Sequence, residues 1–476
     1  MDTFARLEPE AFWRHFAALT RLPRASGEEA QVVAHVLGWA RRRDLAAHRD
    51  AVGNLVVRVP GTAGREGAPV VVLQGHLDMV CEREPDSPYD PAHGRIRAVR
   101  DGDWITAEGT TLGADNGVAI AAMMAVAEDR RAPHGPLDLL MTVDEERGLS
   151  GASGLDPGLL DGDVLLNLDS EEDATLTIGC AGSVDTVVRL DAPRAPADGP
   201  RLHVVAGGGR GGHSGGDIAL GRANAIAALG RALRAAPELR IVRFDGGVSR
   251  NAIPRDATAL VVAGDAARTA ILGEAAVIAD AYRDTDPGLR ITAAPAGEGP
   301  GDAWAAADSA RMLDVVAALP AGPIGMSAAF PGAVETSSSL GVARTDGTTL
   351  ALHSLTRSAN DAALPAVTNA IAAVARLAGA ALEPGRGYPA WRPDPDSALL
   401  AAASAVHAEL FGARPHVTVA HGGLEASLIT AKRPGMDAIS FGPQIEGPHA
   451  PGERLNVASS ARLMRFLSGL LDALSR

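Results

Sequence analysis

The sequence predicts an α/β protein in which one domain interrupts another. Strand-like apolar runs at 54–59, 69–73, 137–143 and 164–168 alternate with helical spacing of apolar residues at 11–19 and 28–43, and with a small-residue apolar helix from Gly117 to Ala127. Such alternation indicates a sheet flanked by helices, whose strand ends are the natural place for a site. Two stretches break the pattern, DAPRAPADGP at 191–200 and EPGRGYPAWRPDPD at 383–396; both are rich in proline and lack an apolar period. Strand and helix patterns continue between them without the acidic clusters found outside. These breaks divide the chain into a catalytic domain at 1–190 and 388–476 and an inserted domain at 191–387. Residues 251–284 and 336–379 echo one another as a short polar motif, a strand and a helix, which suggests a duplicated half-domain within the insertion.

Composition bounds the function classes. At 476 residues the chain exceeds what one core usually supports, and its 46% hydrophobic and 21% charged residues are those of a globular protein. No segment reaches the roughly 18 unbroken apolar residues of a membrane span. The N-terminus carries Asp2, Glu8 and Glu10 and lacks the basic start and apolar core of a secretory signal, which predicts a cytoplasmic protein. Two cysteines, Cys81 and Cys180, are too few for a disulfide framework. A net charge of -14 argues against nucleic acid or an anionic membrane as the partner.

Five segments hold the candidate chemistry: GHLDM (75–79), GTTLGADNG (109–117), TVDEERG (142–148), LNLDSEE (166–172) and GPHAPGE (447–453). Each sets a His or a carboxylate at the end of an apolar strand or in a glycine-rich loop. Singly such motifs are common; together they supply the imidazoles and carboxylates that a pair of divalent ions requires, with one carboxylate to bridge. Asp115, between Gly113 and Gly117, is the expected bridge. His76 and Asp78 alternate onto one side of an extended segment, so Asp78 can orient the imidazole. Adjacent Glu145 and Glu146 point different ways, which lets one bind metal while the other faces a water as general base.

These segments, with GGHSGGD (211–217), RNAIP (250–254) and HGGLE (421–425), resemble in order the aminoacyl-histidine dipeptidase (Xaa-His dipeptidase) group of the M20 metallopeptidase family, over nearly the whole chain. The resemblance implies a zinc-peptidase-like catalytic domain with a mixed β-sheet flanked by helices, plus an inserted α+β lid. It implies one metal on His76, Asp115 and Asp169 and another on Asp115, Glu146 and His449, with Glu145 as the base. It also implies that His213 stabilises the oxyanion, often from a partner subunit in a homodimer formed through the lid, and that Asn251 helps hold substrate. The metals would be zinc, with manganese or cobalt as alternatives.

Three further residues are read as substrate contacts. His421 and Glu425 lie in a glycine-rich loop and are candidates to meet a substrate amino group, against the plain alternative of a turn. Arg357 follows the strand-like TTLALHSL and suits a substrate carboxylate, or equally a structural ion pair. His134, His203, His353, His407 and His416 fit no ligand pattern, and no base is set beside Cys180. The expected activity is hydrolysis of a short peptide's amide bond, dipeptides including Xaa-His, by a metal-activated water. An N-acyl amino acid deacylase or a tripeptidase would share the architecture. A non-catalytic binding module would be expected to lose ligands, and here all are present.

Overall fold

The structure is a computed structural model that describes residues 3–129, 131–299 and 301–476; Asp2 lies outside the described residues. It divides into two compact units, one of Met1–Gly179, Pro393–Thr418 and Leu424–Arg476, the other of Cys180–Arg392 and Val419–Gly423. Among the described residues no helix is long and apolar enough to cross a membrane.

The first unit is built on an eight-stranded mixed sheet in the order Ala46–Arg49, Leu55–Val59, Leu137–Thr142, Val71–His76, Val164–Asn167, Asp437–Ser440, Thr175–Cys180, His416–Ala420. The four strands in its middle that begin at Leu137, Val71, Val164 and Asp437 run parallel. Val71–His76 and Leu137–Thr142 are buried at every position, which is why they read as continuous apolar runs rather than alternating ones. Because they are parallel and in register, His76, Thr142, Asn167 and Ser440 end at one edge, and the loops that follow carry the acidic motifs.

The helix Ala114–Glu128 is apolar almost all round because it is buried almost all round, packed on helix Glu10–Leu19 and strand Val71–His76. Gly75 permits this approach: a Cβ there would lie 2.3 Å from Ala119 Cβ and 2.3 Å from Asn116 Oδ1. The helix therefore starts directly over the strand end that bears His76.

The second unit contains a nine-stranded antiparallel sheet made of two topologically equal halves. In chain order the first half is strand Pro200–Gly207, helix Ala225–Arg234, strands Arg240–Gly246 and Ala257–Val262, helix Asp265–Ala281 and strand Arg290–Glu298. The second half is strand Gly182–Asp191, helix Ala306–Ala318, strands Val334–Asp346 and Thr349–Ser358, helix Ala363–Leu377 and strand Ala381–Tyr388. Each half is thus βαββαβ with its fourth strand beside its first, and the halves join through their second strands at Gly246 and Ala343. The extra strand Gly322–Met326 pairs with Val334–Asp346. One apolar core, including Leu229, Ile271, Met312 and Ile371, serves the helices of both.

The expected boundaries need correction. Strand Gly182–Asp191 pairs along its length with Thr349–Ser358 and also with Ala381–Tyr388, so it belongs to the inserted unit, which begins at Cys180 and not at 191. The segment 191–200 is the link between the two halves, not the link between domains. The return falls at Arg392–Pro393 in place of 387–388, and residues 419–423 also group with the inserted unit.

Candidate metal centre

The parallel strand ends of the first unit gather His76, Asp115, Glu145, Glu146, Asp169 and His449, residues separated by up to 373 positions in sequence. His76 closes its strand and is 1% exposed. Its Nε2 lies 3.0 Å from Asp115 Oδ1 and 3.5 Å from Asp169 Oδ1. His449, in the left-handed region at φ 63, sets its Nε2 2.9 Å from Asp115 Oδ2 and 3.1 Å from Glu146 Oε2. Asp115 therefore turns one carboxylate oxygen to each imidazole. The ligand atoms fall into the sets His76, Asp115, Asp169 and Asp115, Glu146, His449, each within 4.8 Å; Glu145 also falls within that distance of His76 and Glu146.

A buried carboxyl and a buried amide behind these side chains fix their directions. Asp78 is fully buried, with Oδ1 3.4 Å from His76 Nδ1. It also accepts the N–H groups of Glu145 at 3.0 Å and Glu146 at 3.2 Å and the Ser26 hydroxyl at 2.7 Å. One carboxylate thus aims an imidazole and the backbone of the acidic pair together, a wider task than its spacing from His76 suggests. Asn116 accepts from His76 N at 3.2 Å and donates to Leu168 O at 2.9 Å, tying the ligand-bearing strand ends to the helix start. The bond Asp115–Asn116 is cis.

The electrostatics describe a site short of positive charge. Burial drives Glu145 well above the usual carboxylate range despite the His76 imidazole, with the charges of Asp169, Glu146 and Glu425 adding to the rise. Burial likewise pushes Asp169 to about 6 and Glu171 to about 8. Hydrogen bonds that the His449 ring donates to the Asp115 and Glu146 carboxylates raise its pKa to about 11. Burial opposes protonation of His76, but Asp169 and the hydrogen bonds to Asp115 outweigh it and hold its pKa well above normal. Burial also works against ionised Asp115, yet its hydrogen bonds to His449 and His76 keep it below the usual range. Glu146 Oε1 is buried with no hydrogen-bond partner. A close set of oxygen and imidazole donors with an orphaned carboxylate oxygen fits divalent cations, which would supply the missing charge.

Of the expected substrate contacts, Glu425 lies in the first unit: its carboxylate is fully buried, its Oε2 accepts from Gln74 Nε2 at 2.6 Å and Thr142 Oγ1 at 2.5 Å, and its Oε1 has no hydrogen-bond partner. The other three, and His213, lie in the second unit. His213 and Asn251 are exposed on a short ladder, where His213 pairs with Ala252 and Ser214 N donates to Asn251 O at 2.8 Å. Arg357 is 4% exposed, and its guanidinium donates to hydroxyls, Tyr388 at 3.1 Å and Ser214 at 3.5 Å. His421 Nε2 lies 2.8 Å from Ser337 Oγ; burial, with Arg357 and His213 nearby, lowers its pKa to about 4, so the ring is neutral at pH 7. The sequence reading assigned no role to Ser26, Arg24, Asn116, Glu171 or Glu453, which act through tertiary contacts rather than through a spacing.

A model of peptidase family M20/M25/M40 matches residues 72–473. The chain is 35% identical over 480 aligned residues to the cytosol non-specific dipeptidase of Escherichia coli, covering 99% of each. The crystal structure of the aminoacylhistidine dipeptidase of Vibrio alginolyticus matches with TM-score 0.86 at 35% identity, covering 99% of this chain and 98% of that one. A tripeptidase from Staphylococcus aureus shares the fold at TM-score 0.57 and 16% identity, over 99% of both chains. The chain is a hydrolase belonging to peptidase family M20/M25/M40.

Proposed function

We propose that the protein is a two-metal dipeptidase acting on short peptides, Xaa-His dipeptides among them. The observation that carries this reading is Asp115, whose two oxygens engage two imidazoles in two separate ligand sets. His76, Asp115 and Asp169 would hold one cation, and Asp115, Glu146 and His449 the other. Imidazole and carboxylate donors suit zinc, with manganese or cobalt as alternatives. When bound, the cations supply Lewis-acid polarisation and lower the pKa of water.

Glu145 accepts the proton of the attacking water and returns it to the leaving amine, with its backbone held by Asp78. The inserted unit acts as a lid and dimerisation domain. On it His213 donates to the oxyanion, Asn251 and His421 position the substrate, and Arg357 holds the substrate carboxylate. The buried guanidinium of Arg357, whose hydrogen bonds to Tyr388 and Ser214 leave further N–H donors for a carboxylate, supports that last role. The E. coli relative, by name a cytosolic dipeptidase, supports a cytoplasmic location.

The direct test is hydrolysis of a panel of dipeptides, tripeptides and N-acyl amino acids by metal-stripped protein resupplied with zinc, manganese or cobalt. Cleavage of free dipeptides, Xaa-His included, is expected; activity confined to N-acyl amino acids would replace this reading with a deacylase. Replacing Arg357 by Met should raise KM for free dipeptides roughly 10-fold or more, with little change for C-terminally amidated ones. Equal losses on both would remove Arg357 from carboxylate binding. If His213 serves its neighbour's reaction, mixed His213→Ala and Glu145→Gln subunits should regain about a quarter of wild-type activity after random re-pairing. No recovery in a proven heterodimer would place His213 in its own subunit's site or outside catalysis.

A further inference from the structure

The turn that presents Asp115 is wrapped around a single buried carboxylate. Glu453 is 2% exposed. Its Oε2 accepts the N–H groups of Leu112 at 2.7 Å and Gly113 at 2.9 Å, and its Oε1 those of Ala114 at 2.7 Å and Asp115 at 3.2 Å. Four successive N–H groups converge in this way only when the chain reverses hand within the turn, and Gly113 does so at φ 71, ψ 33. Asp115 (φ -80, ψ 111) and Asn116 (φ -112, ψ 36) are not helical, so these N–H groups lie on a turn ahead of the helical run, and an acid from a remote loop takes them.

The far side of the same turn is gripped by Arg24, 1% exposed. Its guanidinium donates to Gly113 O and, on the adjoining His76–Asp78 segment, to Leu77 O at 3.2 Å and Asp78 O at 2.9 Å. A side chain at residue 113 would displace the Arg24 guanidinium from this grip, since a Cβ would lie 2.3 Å from Arg24 Nη2 and 2.6 Å from Met79 Sδ. Glu453 in turn is anchored: its carbonyl accepts the Thr106 hydroxyl at 2.8 Å, and the strand Arg454–Asn456 that follows it pairs with Trp104–Ala107. Four residues upstream in the same loop, His449 reaches Asp115 Oδ2. One loop therefore meets Asp115 at both ends, through its side chain and through its backbone N–H.

We propose that Glu453 is a positioning residue that shapes the Leu112–Asp115 turn before any metal arrives, so that Asp115 is already aimed between the two ligand sets. This rests on the assignment of Asp115 as the bridging ligand. Glu453→Gln would place an amide NH2 against two of the four donors, leaving one oxygen to serve where two did. Folded full-length Glu453→Gln protein should bind zinc at both sites at least 10-fold more weakly by equilibrium dialysis. In metal-stripped wild-type protein, the amides of residues 112–115 should exchange hydrogen as slowly as in the zinc-loaded form.

A Glu453→Gln protein that is less heat-stable but binds both zinc ions with wild-type affinity has lost only structural support, and overturns the proposal. So do wild-type amides that exchange freely until zinc is added, a measurement that stands even where the variant fails to fold. Asp115→Ala is the control: if it keeps both zinc ions, the bridge reading falls and this proposal with it. If it loses both while Glu453→Gln binds normally, this proposal falls alone.

Discussion

Replacing Glu145 by Gln should lower kcat by about 10²–10⁴-fold while the protein still binds two equivalents of metal. The substitution keeps the size of the side chain and removes only its capacity to accept a proton. The position is delicate, because Glu145 also lies within 4.8 Å of His76 and Glu146 and so has the reach of a ligand. Two observations favour the base. The imidazoles pair with Asp115, Asp169 and Glu146, leaving Glu145 outside the pairs. Its carboxyl is also among those driven well up by burial and like charge, the environment of a group that takes and gives protons. Metal analysis of the purified variant beside its steady-state kinetics decides the matter: loss of metal in proportion to activity would make Glu145 a ligand.

Asp115→Ala should have the opposite signature, with both metals lost and activity lost with them. Each ligand set of three would fall to two, and neither pair retains a carboxylate held between two imidazoles. His449→Ala provides the contrast, since His449 serves only the set with Glu146; that variant should lose one equivalent and keep the other. Metal content by atomic emission after dialysis reads both results. Two equivalents retained by Asp115→Ala would mean that another carboxylate bridges.

The parts of the fold legible in the sequence are those where burial leaves a local pattern. Val71–His76 and Leu137–Thr142 are covered on both faces and read as apolar runs of the right length, and the acids that follow them stand out against such runs. Nothing local marks strand Gly182–Asp191 as part of the insertion, because its partners begin more than 150 residues later; His353 faces Val187, and no local signal announces that. The duplication was only a faint echo for a related reason, since the first half interrupts the second between its opening strand and its first helix. At the site, the histidines and carboxylates that come together stand out in the sequence as short motifs, and their grouping into two sets is what the family resemblance implies. The roles of Glu425 and Glu453 were not legible: both sit in glycine-rich loops that look solvent-facing, and only the folded chain turns one carboxylate onto Gln74 and Thr142 and the other onto four backbone N–H groups.

The interleaving of the two βαββαβ halves has a consequence for how such a chain can gain or shed mass. The chain leaves the second half after Asp191 and returns to it at Asp302–Trp304, and these two crossings are hydrogen-bonded to each other, with Arg194 opposite Trp304 and Pro196 opposite Asp302. Everything from Pro200 to Glu298 is thus a cassette whose entrance and exit share one doorway. Its removal would leave a gap that a short turn spans, while uncovering the share of the common core that Leu229 and Ile271 fill and leaving Val334–Asp346 as a new sheet edge. A protein with one half in place of two is therefore reachable by a single excision, and one with two halves by a single insertion, without unthreading any other strand.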